Sequence, residues 1–229
     1  MDLPLNLVRA KFKKRLNRFT AVMDIGGEEV LTHVANSGRL GELLIPDYVM
    51  WLKFVESSIR KTKFDLVLVD MGTTLCSVDS RLPNALVHEG ILQNVITPFS
   101  DFENIRREVT YGDSRFDLFL SRPGTECFIE VKSVTLVEDR IALFPDAPTA
   151  RGSKHLRGLI TARSEGYRSC VVFVIQRSDA DSLTVQTDSD PEFADTLSQA
   201  IEAGVEAYAY TCKVTNEWVQ IHKSVPINL

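Results

Sequence analysis

Three runs of β-branched and aromatic residues, Ile105–Tyr111, Arg115–Ser121 and Glu126–Val134, follow one another with only short polar breaks at Gly112-Asp113 and Pro123-Gly124. Alternating apolar and polar positions bounded by such turn signals predict a three-stranded antiparallel meander. With a two-residue loop at each turn, Tyr111 faces Ser114 and Arg122 faces Thr125. Counting back from the turns places Glu108 opposite Asp117 and Asp117 opposite Glu130, and directly paired side chains lie roughly 5 Å apart at Cβ. Lys132 shares their face, while Leu118, Leu120, Cys127, Ile129 and Val131 form an apolar layer on the other.

Upstream, Phe19–Ile25 and Glu28–Val34 flank Gly26-Gly27, a hairpin signal, and further strands fit Tyr48–Val55 and Phe64–Val69. Several short strands ending before Arg81 suggest a small β-barrel such as the OB fold. Pro83-Asn84 opens a helix whose apolar stripe runs through Leu86, Val87, Gly90, Ile91 and Val95 to a stop at Pro98. Beyond the meander come a short strand at Ile141–Phe144, an ordered Pro145–Pro148 loop and a helix from Ser153 to Glu165 stopped by Gly166. That helix makes a right-handed crossover to a strand at Ser169–Ile175. Asp190 and Pro191 start a last helix that Gly204 closes, and strands at Val205–Val214 and Trp218–Ile221 follow. The expected fold is α+β: an OB-like barrel over residues 1–80, then a sheet with helices on both faces over 81–229.

The 229 residues carry a formal charge of −5, which excludes coating of nucleic acid by bulk positive charge and leaves local patches to do any such binding. One patch is evident. Arg9–Arg18 holds six basic residues and no acid, with Phe12 and Leu16 interleaved. It reads either as a phosphate-lining groove using Lys11, Lys13, Lys14 and Arg15 or as a solvated basic terminus. Asn36–Arg39 reads as a turn that leaves Arg39 in reach of a phosphate. Arg151 and Lys154 make the start of the Ser153 helix basic, and a helix N-terminus favours anions. His155, beside them, reads as a surface or supporting residue. Acids from Asp179 to Asp195 read as a solvated surface. Cys76, Cys127, Cys170 and Cys212 lack CxxC spacing and fit as reduced core thiols, and the longest apolar run is too short to span a bilayer, so the expected location is the cytoplasm.

Three carboxylates stacked across neighbouring strands repel one another unless a cation or shared protons neutralise them. A bound metal resolves that conflict. Hard oxygen ligands without histidine or thiolate favour Mg²⁺ or Mn²⁺ over zinc, and Mg²⁺ takes one or two carboxylates along with water and phosphate oxygens. Asp117 and Glu130, assisted by Glu108, are the candidate ligands. Lys132 then orients water or stabilises charge on phosphate.

Asp117 followed by Glu130-Val131-Lys132 resembles the PD-(D/E)XK nuclease motif, without a proline before the aspartate. Together with Asn36-Ser37-Gly38-Arg39, Arg81-Leu82-Pro83-Asn84, Arg106-Arg107-Glu108-Val109, Glu130–Val137 and Phe144–Thr149, it resembles the sugar fermentation stimulation protein A family over nearly the whole chain. The resemblance implies an N-terminal OB-like domain, a restriction-endonuclease-like C-terminal domain, and DNA binding linked to sugar-utilisation genes of the maltose type. It also implies that a helical carboxylate preceding the meander completes the metal site, for which Glu89 is placed. Two functions stay open: a Mg²⁺- or Mn²⁺-dependent nuclease acting on DNA or RNA, and a DNA-binding regulator that uses the same fold without turnover.

Overall fold

The computed structural model describes residues 1–46 and 48–229. Its first part is a barrel of β1 (Leu7–Asn17), β2 (Thr20–Ile25), β3 (Glu28–His33), β4 (Val49–Phe54) and β5 (Phe64–Asp70), in the order β3-β2-β1-β4-β5 and closed by a β3–β5 pairing, with β6 (Leu75–Ser77) added beside β5. This is the OB-like arrangement. The basic stretch Arg9–Arg18 runs along β1, the long strand that pairs with both β2 and β4, and ends in the turn after it. Ala10, Ala21, Met23, Met50, Leu52 and Leu66 fill the barrel.

The second part runs α1 (Leu82–Leu92), β7 (Asn104–Tyr111), β8 (Ser114–Arg122), β9 (Thr125–Val134), β10 (Val137–Glu138), β11 (Ile141–Phe144), α2 (Ala150–Ser164), β12 (Arg168–Ile175), β13 (Ser182–Val185), α3 (Pro191–Glu202), β14 (Glu206–Val214), β15 (Val219–Val225) and β16 (Ile227–Asn228). The main sheet has the order β15-β14-β12-β9-β8-β7, so the antiparallel meander β7-β8-β9 continues into the parallel strands β12 and β14. Helix α2 is the crossover from β9 to β12. Short strands β10, β11, β13 and β16 form a separate small sheet.

Each face of the main sheet carries its own core. On one, Leu118, Leu120, Ile129, Val131 and Val172 pack with Leu86, Val87 and Ile91 of α1. On the other, Phe116, Phe128, Phe173, Leu156, Leu159 and Leu197 pack the sheet against α2 and α3. Leu68 of the barrel is fully buried in the α1-side core, with Leu7 and Trp51 against it, so barrel and sheet share apolar packing.

The barrel's Asn36–Arg39 turn is also fixed against the Pro145–Pro148 loop. The Asp146 carboxylate accepts the Arg39 N–H at 2.8 Å and lies so close to Gly38 that a Cβ there would collide with it. Asp190 is buried instead of solvated: it caps α3 through the Phe193 N–H at 3.0 Å and accepts the Thr149 N–H at 2.6 Å, tying down the residue that caps α2. All four cysteines are buried free thiols.

Candidate active site

The site forms where β8 and β9 stop pairing. From Arg122↔Thr125 to Leu118↔Ile129 the two strands keep the register that turn length predicts. One residue further, Asp117 uses its side chain in place of the ladder. Its Oδ2 accepts the Val131 N–H at 2.7 Å, and its Oδ1 accepts Asn84 Nδ2 at 2.6 Å from the first turn of α1. Phe116 and Phe119 sit in the same core although three residues apart, while Leu118 and Leu120 sit in the other. Regular alternation would put positions three apart on opposite faces, so β8 switches faces at Asp117.

The facing strand distorts at the same point. Glu108 has φ 55°, and the pairs on either side of it, Arg107↔Leu118 and Val109↔Phe116, keep the counted register. Its side chain is 59% exposed and lies 3.7 Å from Arg115. Glu89 lies elsewhere, 2.9 Å from the N-terminal amine of Met1. The structure therefore brings Asp117 and Glu130 together and does not bring Glu108 or Glu89 to them.

Glu130 is buried on the face it shares with Lys132, whose Nζ donates to Oε1 at 2.7 Å. The same oxygen accepts from Nδ1 of His155, read from the sequence as a surface or supporting residue and buried here in the supporting place. His155 lies four residues before Leu159 and shares its sheet-facing side, in a helix that starts three residues earlier than expected. Thr149 accepts the Gly152 N–H at 3.1 Å and opens α2 at Ala150, so His155 falls in the second turn, facing the sheet. Gly158, one turn on, has Phe116 and Ser114 within 3.1 Å of where a Cβ would stand, which lets α2 lie close. Arg151 Nε donates to His155 Nε2 at 3.3 Å, so the hydrogen-bond network puts the ring proton on Nδ1.

Burial raises the Asp117 carboxyl, the Glu130 charge raises it further, and it is pushed up to about 6 despite Val131, Lys132 and Asn84. Burial also acts to raise Glu130, but Lys132 and His155 outweigh it and hold this carboxyl below its usual range. Glu130 Oε2 is buried and accepts no hydrogen bond from the described residues. An orphaned carboxylate oxygen in the interior is costly, and a cation held between Asp117 and Glu130 would both supply its partner and remove the repulsion between the two acids. The donor set is oxygen, as Mg²⁺ and Mn²⁺ require. Among the described residues no three His, Cys, Asp or Glu side chains converge as a preformed cage. Two carboxylates still suffice for a hydrated Mg²⁺.

The basic residues divide by role. Lys11 and Lys14 are exposed on β1, and Lys13 lies 3.2 Å from Asp24. Arg15 instead turns inward and donates to the carbonyls of Gly38 at 2.8 Å, Arg18 at 2.6 Å, Asn36 at 3.1 Å and Arg39. Lys154 reaches the β7–β8 turn, donating to the Asp113 carbonyl at 2.9 Å. Arg39 and Arg151 have exposed side-chain surface. A cleft of about 230 Å³ opens between the barrel's Asn36–Arg39 turn and the Pro145–Thr149 loop, with Arg18 and Ser133 in its wall.

Residues 14–78 match the family model described as the SfsA N-terminal OB domain, and residues 81–218 match the sugar fermentation stimulation protein RE domain. A sugar fermentation stimulation protein homolog of Desulforamulus reducens is 45% identical over 97% of this chain and 93% of its own length. The homolog of Moorella thermoacetica is 44% identical over the full length of both. Among solved structures, Pyrococcus furiosus SfsA in complex with Ca²⁺ superposes with a TM-score of 0.90 at 26% identity, covering 100% of this chain and 98% of the other. With both halves matched and the same relatives spanning nearly its whole length, the chain belongs to the sugar fermentation stimulation protein family.

Proposed function

We propose that this protein binds DNA and hydrolyses phosphodiester bonds at a divalent-metal site held by Asp117 and Glu130. The observation that carries the reading is the buried, unpartnered Glu130 Oε2 beside a second carboxylate and a buried lysine. The Ca²⁺ bound by the Pyrococcus furiosus relative supports a divalent cation in this fold. Mg²⁺ or Mn²⁺, when bound, supplies Lewis-acid charge for phosphate and lowers the pKa of a water nucleophile.

The chain's own residues do the rest. Val131 N–H and Asn84 fix Asp117, while Lys132 and His155 fix Glu130. Lys132 also places a positive charge where negative charge builds on the phosphate oxygens. Lys11, Lys13 and Lys14 on the barrel, with Arg39, Arg151 and Lys154 nearer the sheet, engage the phosphate backbone without reading bases. Reduced buried cysteines agree with work in the cytoplasm.

A second reading, a DNA-binding regulator without turnover, draws on the ion pair of Glu130 with Lys132 and the hydrogen bond it accepts from His155. Identically purified wild type and Lys132→Met, incubated with Mg²⁺ or Mn²⁺ and with single- or double-stranded DNA or RNA, separate the two. Cleavage by wild type, abolished by chelation and reduced roughly 10²–10³-fold in the variant, supports hydrolysis. Equal cleavage by both sinks it, and intact DNA binding without any cleavage favours the regulator.

A further inference from the structure

His155 is a buried imidazole with both ring nitrogens committed, Nδ1 to Glu130 Oε1 and Nε2 to the Arg151 guanidinium. Its neighbours on the sheet explain why it stands there. Phe116 packs edge-on against the ring at 6.2 Å, and the Thr149 cap sets the helix register that aims it. Hydrogen bonding at both ends and an aromatic wall leave the ring little freedom to rotate. A histidine kept only for packing would not need a polar partner at each nitrogen, and a metal-binding histidine would keep one nitrogen free.

The consequence falls on Glu130. Two donors, Lys132 Nζ and His155 Nδ1, converge on one oxygen, and the other oxygen is buried without a donor. A carboxylate pinned at Oε1 presents a single lone oxygen in a fixed direction. Pinned this way, it is set for one-oxygen coordination.

We infer that His155 is a positioning residue that orients Glu130 so that Oε2 becomes the metal ligand, with Arg151 fixing the tautomer that donates, and that the imidazole itself stays out of the ligand set. The inference rests on the proposed metal site and deepens it. The site therefore offers oxygen alone, and its preference for hard cations over zinc follows from the His155 hydrogen bonds as much as from the carboxylates.

The test compares wild type, His155→Asn, whose amide N–H stands in for Nδ1–H, and His155→Leu, which keeps bulk without a donor. Mn²⁺ binding is measured by calorimetry and the bound ion is examined by electron spin-echo spectroscopy, with thermal melting as the check that each variant is folded. His155→Leu is expected to weaken Mn²⁺ binding about 10–100-fold, His155→Asn to recover most of that loss, and wild-type Mn²⁺ to show no coupling to a directly bound imidazole nitrogen. Unchanged Mn²⁺ affinity in folded His155→Leu, equal loss in both folded variants, or nitrogen coupling in wild type overturns the inference and leaves the metal site standing. No Mn²⁺ binding by wild type overturns the metal site and the inference with it. If His155→Leu does not fold, the affinity of His155→Asn and the wild-type spectrum decide.

Discussion

The carboxylate of Asp117 accepts the backbone N–H of Val131 at 2.7 Å, across the gap where β8 and β9 cease to pair. One side chain thus satisfies a strand donor and stands beside a second acid. Because its carboxyl is pushed up to about 6 by burial and by Glu130, the ionised form strains the folded state. For an acid raised on folding, the stabilising contribution is complete below its unfolded value near 4 and is lost as pH rises through 6.

Asp117→Asn should therefore raise the melting temperature at pH 8 in the absence of divalent metal. A carboxyl pushed from its usual value near 4 up to about 6 costs the folded state roughly 3 kcal/mol at most when ionised. The amide fits: its oxygen accepts Val131 N–H while its NH₂ donates to a flipped Asn84. Added Mn²⁺ should stabilise wild type and leave the variant unmoved. Melting curves at pH 8 with and without Mn²⁺ check both halves, and a lowered melting temperature in the metal-free variant would contradict the electrostatic account.

Metal affinity should tighten between pH 5 and pH 7. Below about 6 Asp117 holds a proton that the cation must displace, whereas Glu130, held below its usual range, is already ionised there. Calorimetry across that interval should show an affinity that levels off above pH 7. A flat profile would mean that Asp117 is not a ligand.

Arg15 and its basic neighbours on β1 should respond differently to substitution. Arg15→Ala leaves four carbonyls without their cationic donor and should destabilise the barrel, by roughly 1.5–3 kcal/mol for each charged hydrogen bond that water does not replace. Arg15→Lys, lacking the planar fork, should restore little of it. The combined Lys11→Ala, Lys13→Ala and Lys14→Ala protein should melt like wild type but bind DNA more weakly. Its log K against log salt slope should flatten by roughly two to three, about 0.9 for each phosphate that is no longer neutralised. An unchanged slope would remove β1 from the nucleic-acid surface.

The sequence carried much of this geometry, through devices that act locally. Two-residue turns fix register, so counting from Tyr111↔Ser114 and Arg122↔Thr125 places the meander, and the alternation of Leu118, Leu120, Ile129 and Val131 identifies one core. Alternation fails at Asp117 and Glu108, where a positive φ on a non-glycine residue and a face switch leave no compositional trace. Helix starts are equally hard to read: Thr149 caps α2 at Ala150, three residues before the expected start. Asn84 and Arg15 take their roles from partners distant in sequence, Asp117 and the Asn36–Arg39 turn, and no local pattern announces such pairings. β1 hides for another reason, because its alternation is masked by lysines on exposed positions and by a bulge between Phe12 and Lys14.

The proposed divalent cation is held by two carboxylates at the β8–β9 fork. Anomalous diffraction from crystals soaked in Mn²⁺ tests it most directly. One strong peak is expected within about 2.0–2.3 Å of both an Asp117 oxygen and Glu130 Oε2, with His155 still bonded to Oε1 and the remaining positions filled by water. Mn²⁺ bound elsewhere, with Asp117 and Glu130 unliganded at saturating metal and pH 8, would contradict it.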